Sequence, residues 1–139
     1  MDTDETRIRE LEAEDHPEKL LHRKISDGVI GAAFEVHNVL GYGFLEKVYQ
    51  RALQAELIRR GLRAHIEHPL KVNYKGAVVG EYFADLFVED SVLVELKVSP
   101  ELNAYDEAQL INELKAAGVR VGLLINFGRT RVEFRRRVV

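Results

Sequence analysis

The sequence predicts an α/β domain in which a mixed sheet is flanked by helices. Three observations predict it: two helical periodicities at the start, a change to a period of two from residue 63, and an unbroken apolar run, VRVGLLINF, after a third helical stretch. At 139 residues the chain fits one domain, and a domain of that size buries about two-thirds of its unfolded surface.

Each element has its own signal. After Ser26, the residues Ile30, Ala33, Phe34, Val36, His37 and Leu40 recur at helical spacing, with Ser26 or Asp27 as the expected cap and Gly41-Tyr42-Gly43 as the break. Leu45, Val48, Tyr49, Ala52, Leu53 and Leu57 are the expected buried stripe of a second helix, ended at Gly61. RAHIEHPLKVNYKG, VVGEYFADLFVED and SVLVELKV then read as an antiparallel meander turning at Lys75-Gly76 and Glu89-Asp90. Past Pro100, NAYDEAQLINELKAAG is a helix capped by Asn103 and stopped by Gly118. VRVGLLINF suits a strand covered on both faces beside a parallel neighbour, and RVEFRRRV a last strand. Residues 1–22 are expected as an acidic tail or loose helix, leaving 23–139 as the folded domain.

Composition narrows the chemistry. With no cysteine there is no disulfide framework, zinc–thiolate site or thiol nucleophile, so any metal must take oxygen or histidine ligands. No apolar run approaches the ~20 residues a membrane span needs, and the acidic start has the wrong sign for a signal peptide. A soluble, cytoplasmic protein is expected. Residues 1–22 hold eight acids against three bases, a net −5, so the remainder carries +2 of the chain's −3. Arg129, Arg131, Arg135, Arg136 and Arg137 gather at the C-terminus, where they suit either a phosphate-facing patch or a solvated edge strand.

The chemically informative stretch is ADLFVEDSVLVELKV, which sets Asp85, Glu95 and Lys97 into otherwise apolar strands. Leu93, Glu95 and Lys97 share one face of their strand. A two-residue loop at Glu89-Asp90 would put Asp85 opposite Val94, on the wrong face; a three-residue loop or a bulge puts it opposite Glu95. Two carboxylates so placed repel unless a cation lies between them, and magnesium or manganese would satisfy both. Lys97 could then orient or deprotonate an attacking water. As a bare pattern E-x-K equally describes a surface ion pair; its setting among buried strands favours the metal site.

GFLEKVY, residues 43–49, matches a G-x-x-E-x-x-Y signature, and QRALQAELIRRGL, VNYKG, FADLFVED, VLVELKV, EAQL and LLINFG follow in order. Over residues 25–130 the chain resembles the GxxExxY proteins, which are assigned to the PD-(D/E)xK nuclease-like superfamily. The resemblance implies a restriction-endonuclease-like αβββαβ core and magnesium-dependent hydrolysis of nucleic acid, DNA above all. It assigns Asp85 and Glu95 to the metal, Lys97 as the catalytic lysine, and Glu46 as the helix-borne acid that completes or braces the site; Glu46 would also suit a helix N-terminus for its charge alone. Gln109 looks like the glutamine of a Q-x-x-x-Y motif, although Glu113 stands where that motif has tyrosine. Tyr49 is expected to pack beneath the site, and His37 to be a hydrogen-bonded core residue. His65 and His68 suggest no metal. Two rival readings are a non-catalytic nucleic-acid-binding module or complex subunit, and a homodimer formed through the C-terminal strand.

Overall fold

The helices form where one apolar stripe finds the sheet to cover. The computed structural model describes residues 21–139, so the expected acidic tail lies outside the described residues except for Leu21 and His22. The elements run α1 (Arg23–Leu40), α2 (Glu46–Arg59), β1 (Ala64–Tyr74), β2 (Ala77–Val88), β3 (Val92–Lys97), α3 (Ala104–Ala117), β4 (Val121–Asn126) and β5 (Glu133–Val138). This is the expected order. No helix among the described residues is long and apolar enough to cross a membrane.

The five strands form one mixed sheet in the order β1-β2-β3-β4-β5. β1, β2 and β3 are an antiparallel meander, β4 is parallel to β3, and β5 is antiparallel to β4. The parallel pair requires a crossover, which α3 supplies. Lys75 and Gly76, both at positive φ, make the two-residue turn between Tyr74 and Ala77, as their sequence predicts.

Strand alternation divides the core. Val92, Val94 and Leu96 of β3 join Val121, Leu123 and Ile125 of β4 against α1 and α2, while Leu93 and Leu124 face Leu110 and Leu114 of α3. β4 is buried at every residue, as a strand covered on both faces must be. A Cβ on Gly122 would stand 2.9 Å from Leu110 and Leu114 side chains, so glycine there lets α3 settle onto β4. Tyr49 is fully buried, stacked on Phe127 at 4.7 Å, and its hydroxyl donates to the Gly41 carbonyl at 2.6 Å. It packs rather than reacts. His37 is likewise a core residue, its Nε2 lying 2.7 Å from the Arg129 carbonyl.

Two expectations are corrected. α1 starts before Ser26, with His22 at its N-cap and no side-chain cap; Ser26 instead donates to the Arg23 carbonyl and accepts from Arg136 Nε at 3.0 Å. Neither Ser26 nor Asp27 is the cap. In α2 only Tyr49, Leu53 and Leu57 of the expected stripe are buried, whereas Leu45, the N-cap residue outside the helix, and Val48 are 80% and 39% exposed. The C-terminal arginines, for which two readings stood open, make pairs within the chain. Arg129 and Arg135 pair with Glu133, Arg135 and Arg137 with Glu107, and Arg136 donates to the Leu21 carbonyl.

Candidate active site

Asp85 and Glu95 meet because of the connection between β2 and β3. Val88 pairs with Val92, leaving Glu89, Asp90 and Ser91 as a three-residue loop. Glu89 and Asp90 have φ of 53° and 50°, and Ser91 N donates to the Val88 carbonyl at 3.0 Å, so a tight turn is followed by one extra residue. The pairing Leu86 with Val94 then carries the register on to Asp85 with Glu95. Here side chains take over the ladder: Asp85 Oδ2 accepts from Leu96 N at 2.7 Å, and Glu95 Oε1 accepts from Asp85 N at 3.4 Å.

Two helices aim further groups at this pair. Gln50 of α2, buried, donates from Nε2 to the Asp85 carbonyl at 3.0 Å and fixes the backbone of that residue. Glu46 opens α2 and lies against Asp85, within the field of Lys97. Lys97, part-buried, points its Nζ to 4.0 Å from Asp106 Oδ1 in the first turn of α3. Asp106 is held by the capping box it forms with Asn103. Glu113, two turns further along α3 and buried, reaches the Glu95 carboxyl.

The electrostatics follow from crowding. Burial first, and the Asp85 charge second, push Glu46 up to about 7. The same two causes, with Glu113 added, push Glu95 up to about 10. Glu113 is raised as well, chiefly by burial. Its Oε2 is buried and finds no hydrogen-bond partner among the described residues. The cluster is therefore short of positive charge and of donors. The atoms it offers as metal ligands are all carboxylate oxygens, the set that suits a hard divalent cation. Among the described residues no three acid or histidine side chains already encircle one point as ligands; the acids meet in pairs, Glu46 with Asp85, Asp85 with Glu95 and Glu95 with Glu113.

Of the residues singled out from sequence, the structure thus brings Glu46, Asp85, Glu95 and Lys97 together. Gln109 does not join them: it lines a groove beside Glu113 on α3. His65 and His68 lie on β1, where His68 packs on the Phe87 ring at 4.5 Å. Sequence reasoning missed Gln50, Asp106 and Glu113 as site residues. A signal existed for Glu113, since it interrupts the buried stripe of Leu110 and Leu114.

A family model described as the PD-(D/E)XK nuclease superfamily matches residues 23–138. Two solved structures are similar in part. The crystal structure of SSO0001 has 17% identity and a TM-score of 0.47 over 66% of this chain and 48% of that one. An alkaline exonuclease (LHK-Exo) from Laribacter hongkongensis has 11% identity and a TM-score of 0.39 over 76% of this chain and 75% of that one. The chain thus spans about half the length of SSO0001. No curated protein matches it.

Proposed function

This chain belongs to the PD-(D/E)XK nuclease superfamily, and from that premise we propose that it hydrolyses phosphodiester bonds in nucleic acid, DNA above all, with magnesium or manganese. The observation that carries the reading is the mutual clasp of Asp85 and Glu95, each carboxylate accepting from the backbone of the opposite strand. Asp85 and Glu95, with Glu46 alongside, are the residues that would hold the ion, and the unmet acceptor on Glu113 together with the raised Glu95 marks a site built for added positive charge. When bound, the ion supplies charge that polarises a phosphate oxygen.

The chain's own groups do the rest. Lys97, steered by Asp106, presents an ammonium that orients an attacking water and offsets charge growing on the phosphate. Gln50 keeps Asp85 in register with β3. Glu113 faces Glu95 from α3 and is added to the site.

The test is cleavage of labelled DNA and RNA with and without magnesium. Glu95→Ala and Lys97→Ala should each lower metal-dependent cleavage by about 10²-fold or more, with circular dichroism unchanged. Full activity in both variants removes the assignment. Nucleic-acid binding without cleavage under any divalent ion would instead establish the binding-module reading.

A further inference from the structure

Between the β1–β2 hairpin and α3 lies a groove of about 800 Å³. Tyr82 of β2 and Tyr105 of α3 line it, 50% and 76% exposed. Lys115 lines it too and has no ion-pair partner among the described residues; Lys71, next to the inward-facing Leu70, alternates to the other face of β1. The groove also reaches Glu113, the acid that meets Glu95. One groove thus joins two exposed aromatic rings, a lysine without an ion-pair partner among the described residues, and an acid of the cluster.

We propose that this groove binds a single-stranded segment of nucleic acid and delivers it to the acid cluster, an inference that rests on the nuclease reading above. An aromatic ring can stack only on a base whose face is free, and in a duplex those faces are covered by neighbouring base pairs. Lys115 on the same channel answers the phosphates of such a strand. The groove's volume lies within the range of ligand clefts, room enough for a segment of a single strand. Gln109, outside the acid cluster, finds its use here as a polar group for base edges.

The experiment reads binding alone, in chelator, so that no cutting is needed. Fluorescence anisotropy is measured for short single-stranded DNA, single-stranded RNA and a duplex of the same sequence, against wild type, Tyr82→Ala, Tyr105→Ala, Lys115→Ala, and Tyr74→Ala as a control on the same hairpin but outside the groove. Each groove tyrosine change should weaken single-strand binding by about tenfold, with Tyr74→Ala at the wild-type level and duplex binding weaker throughout. Lys115→Ala should lower the slope of log K against log salt by about 0.7. Whichever single strand binds more tightly assigns the sugar. Duplex binding equal to single-strand binding, or groove tyrosine variants that bind as wild type does, overturns the proposal. Because Glu95→Ala cleavage is scored separately, failure of the nuclease reading leaves this measurement intact and the two outcomes distinct.

Discussion

The buried carboxyl of Glu113 on α3 faces that of Glu95 on β3 and, after burial and Asp85, helps to push Glu95 up to about 10. Two such groups can bond only when one carries a proton, and the buried Glu113 Oε2 has no hydrogen-bond partner among the described residues. Glu113→Gln keeps the volume and supplies an N–H. The metal-free variant should therefore melt higher than wild type near neutral pH, by the equivalent of about 1 kcal/mol, while metal-dependent cleavage falls. A lower melting temperature would show that the Glu113 carboxyl is satisfied in the native protein by a route this arrangement does not contain.

The raised acids fix a direction for pH. A carboxyl whose folded pKa exceeds its unfolded value keeps its full contribution below the unfolded value and loses it as pH rises through the folded one, since the folded state binds the extra proton. Glu46, going from 4.5 to about 7, and Glu95, going from 4.5 to about 10, both have this sign, and so does Glu113. Urea midpoints in chelator should accordingly fall steadily from about pH 5 upward. Glu95→Gln should flatten the alkaline part of that fall, and added magnesium should oppose it. Glu89 and Glu133 are lowered, so their contribution is lost only on acidification below the usual carboxylate range and leaves this window untouched. A midpoint that rises with pH would contradict the crowding of the acids.

What the sequence made legible was what local periodicity governs. The switch from helical to alternating spacing near residue 63, the Lys75-Gly76 turn and the Asn103 cap all have short-range physical causes, and each stands where its signal put it. The loop after β2 was a choice between two registers, because Glu89-Asp90 holds no glycine to force its positive φ; only the meeting of Asp85 with Glu95 distinguishes them. Leu45 and Val48 misled because apolar spacing alone does not fix where a helix begins or how wide its buried stripe is; Leu45 is the N-cap and the stripe narrows to Tyr49, Leu53 and Leu57. Ser26 misled because a hydroxyl near a helix start can equally serve a distant arginine, here Arg136. Glu113 read as a missing tyrosine, since which face of α3 meets Glu95 is set by the parallel pairing of β3 with β4, a contact no local pattern contains.

Asp106 has two duties that can be separated. It completes the capping box with Asn103 and stands 4.0 Å from Lys97 Nζ. Asn103→Ala and Asp106→Ala both break the box, and each should cost about 1 kcal/mol by denaturant titration. Only Asp106→Ala also frees the Lys97 ammonium. It should therefore lower cleavage severalfold beyond Asn103→Ala when both are assayed well below their melting temperatures. Equal activities would leave Asp106 with the cap alone.

The final prediction separates register from loop length. Ser91 is the extra residue between a tight turn, already closed by its N–H to the Val88 carbonyl at 3.0 Å, and the first pair of the ladder, Val88 with Val92. Deleting Ser91 while changing Asp90 to glycine leaves a two-residue turn whose central residues favour the positive φ that Glu89 and Asp90 already adopt. Val88 can still face Val92, so Asp85 still meets Glu95. The Arg63–Asp90 ion pair given up is exposed on both sides and contributes little. Cleavage by this variant should stay within about threefold of wild type, because a register slip would carry Val92 and Val94 out of the α1–α2 core and is resisted by their burial. If cleavage is lost although the fold and melting temperature are kept, the loop itself takes part in the reaction and the strand register does not suffice to place the two carboxylates.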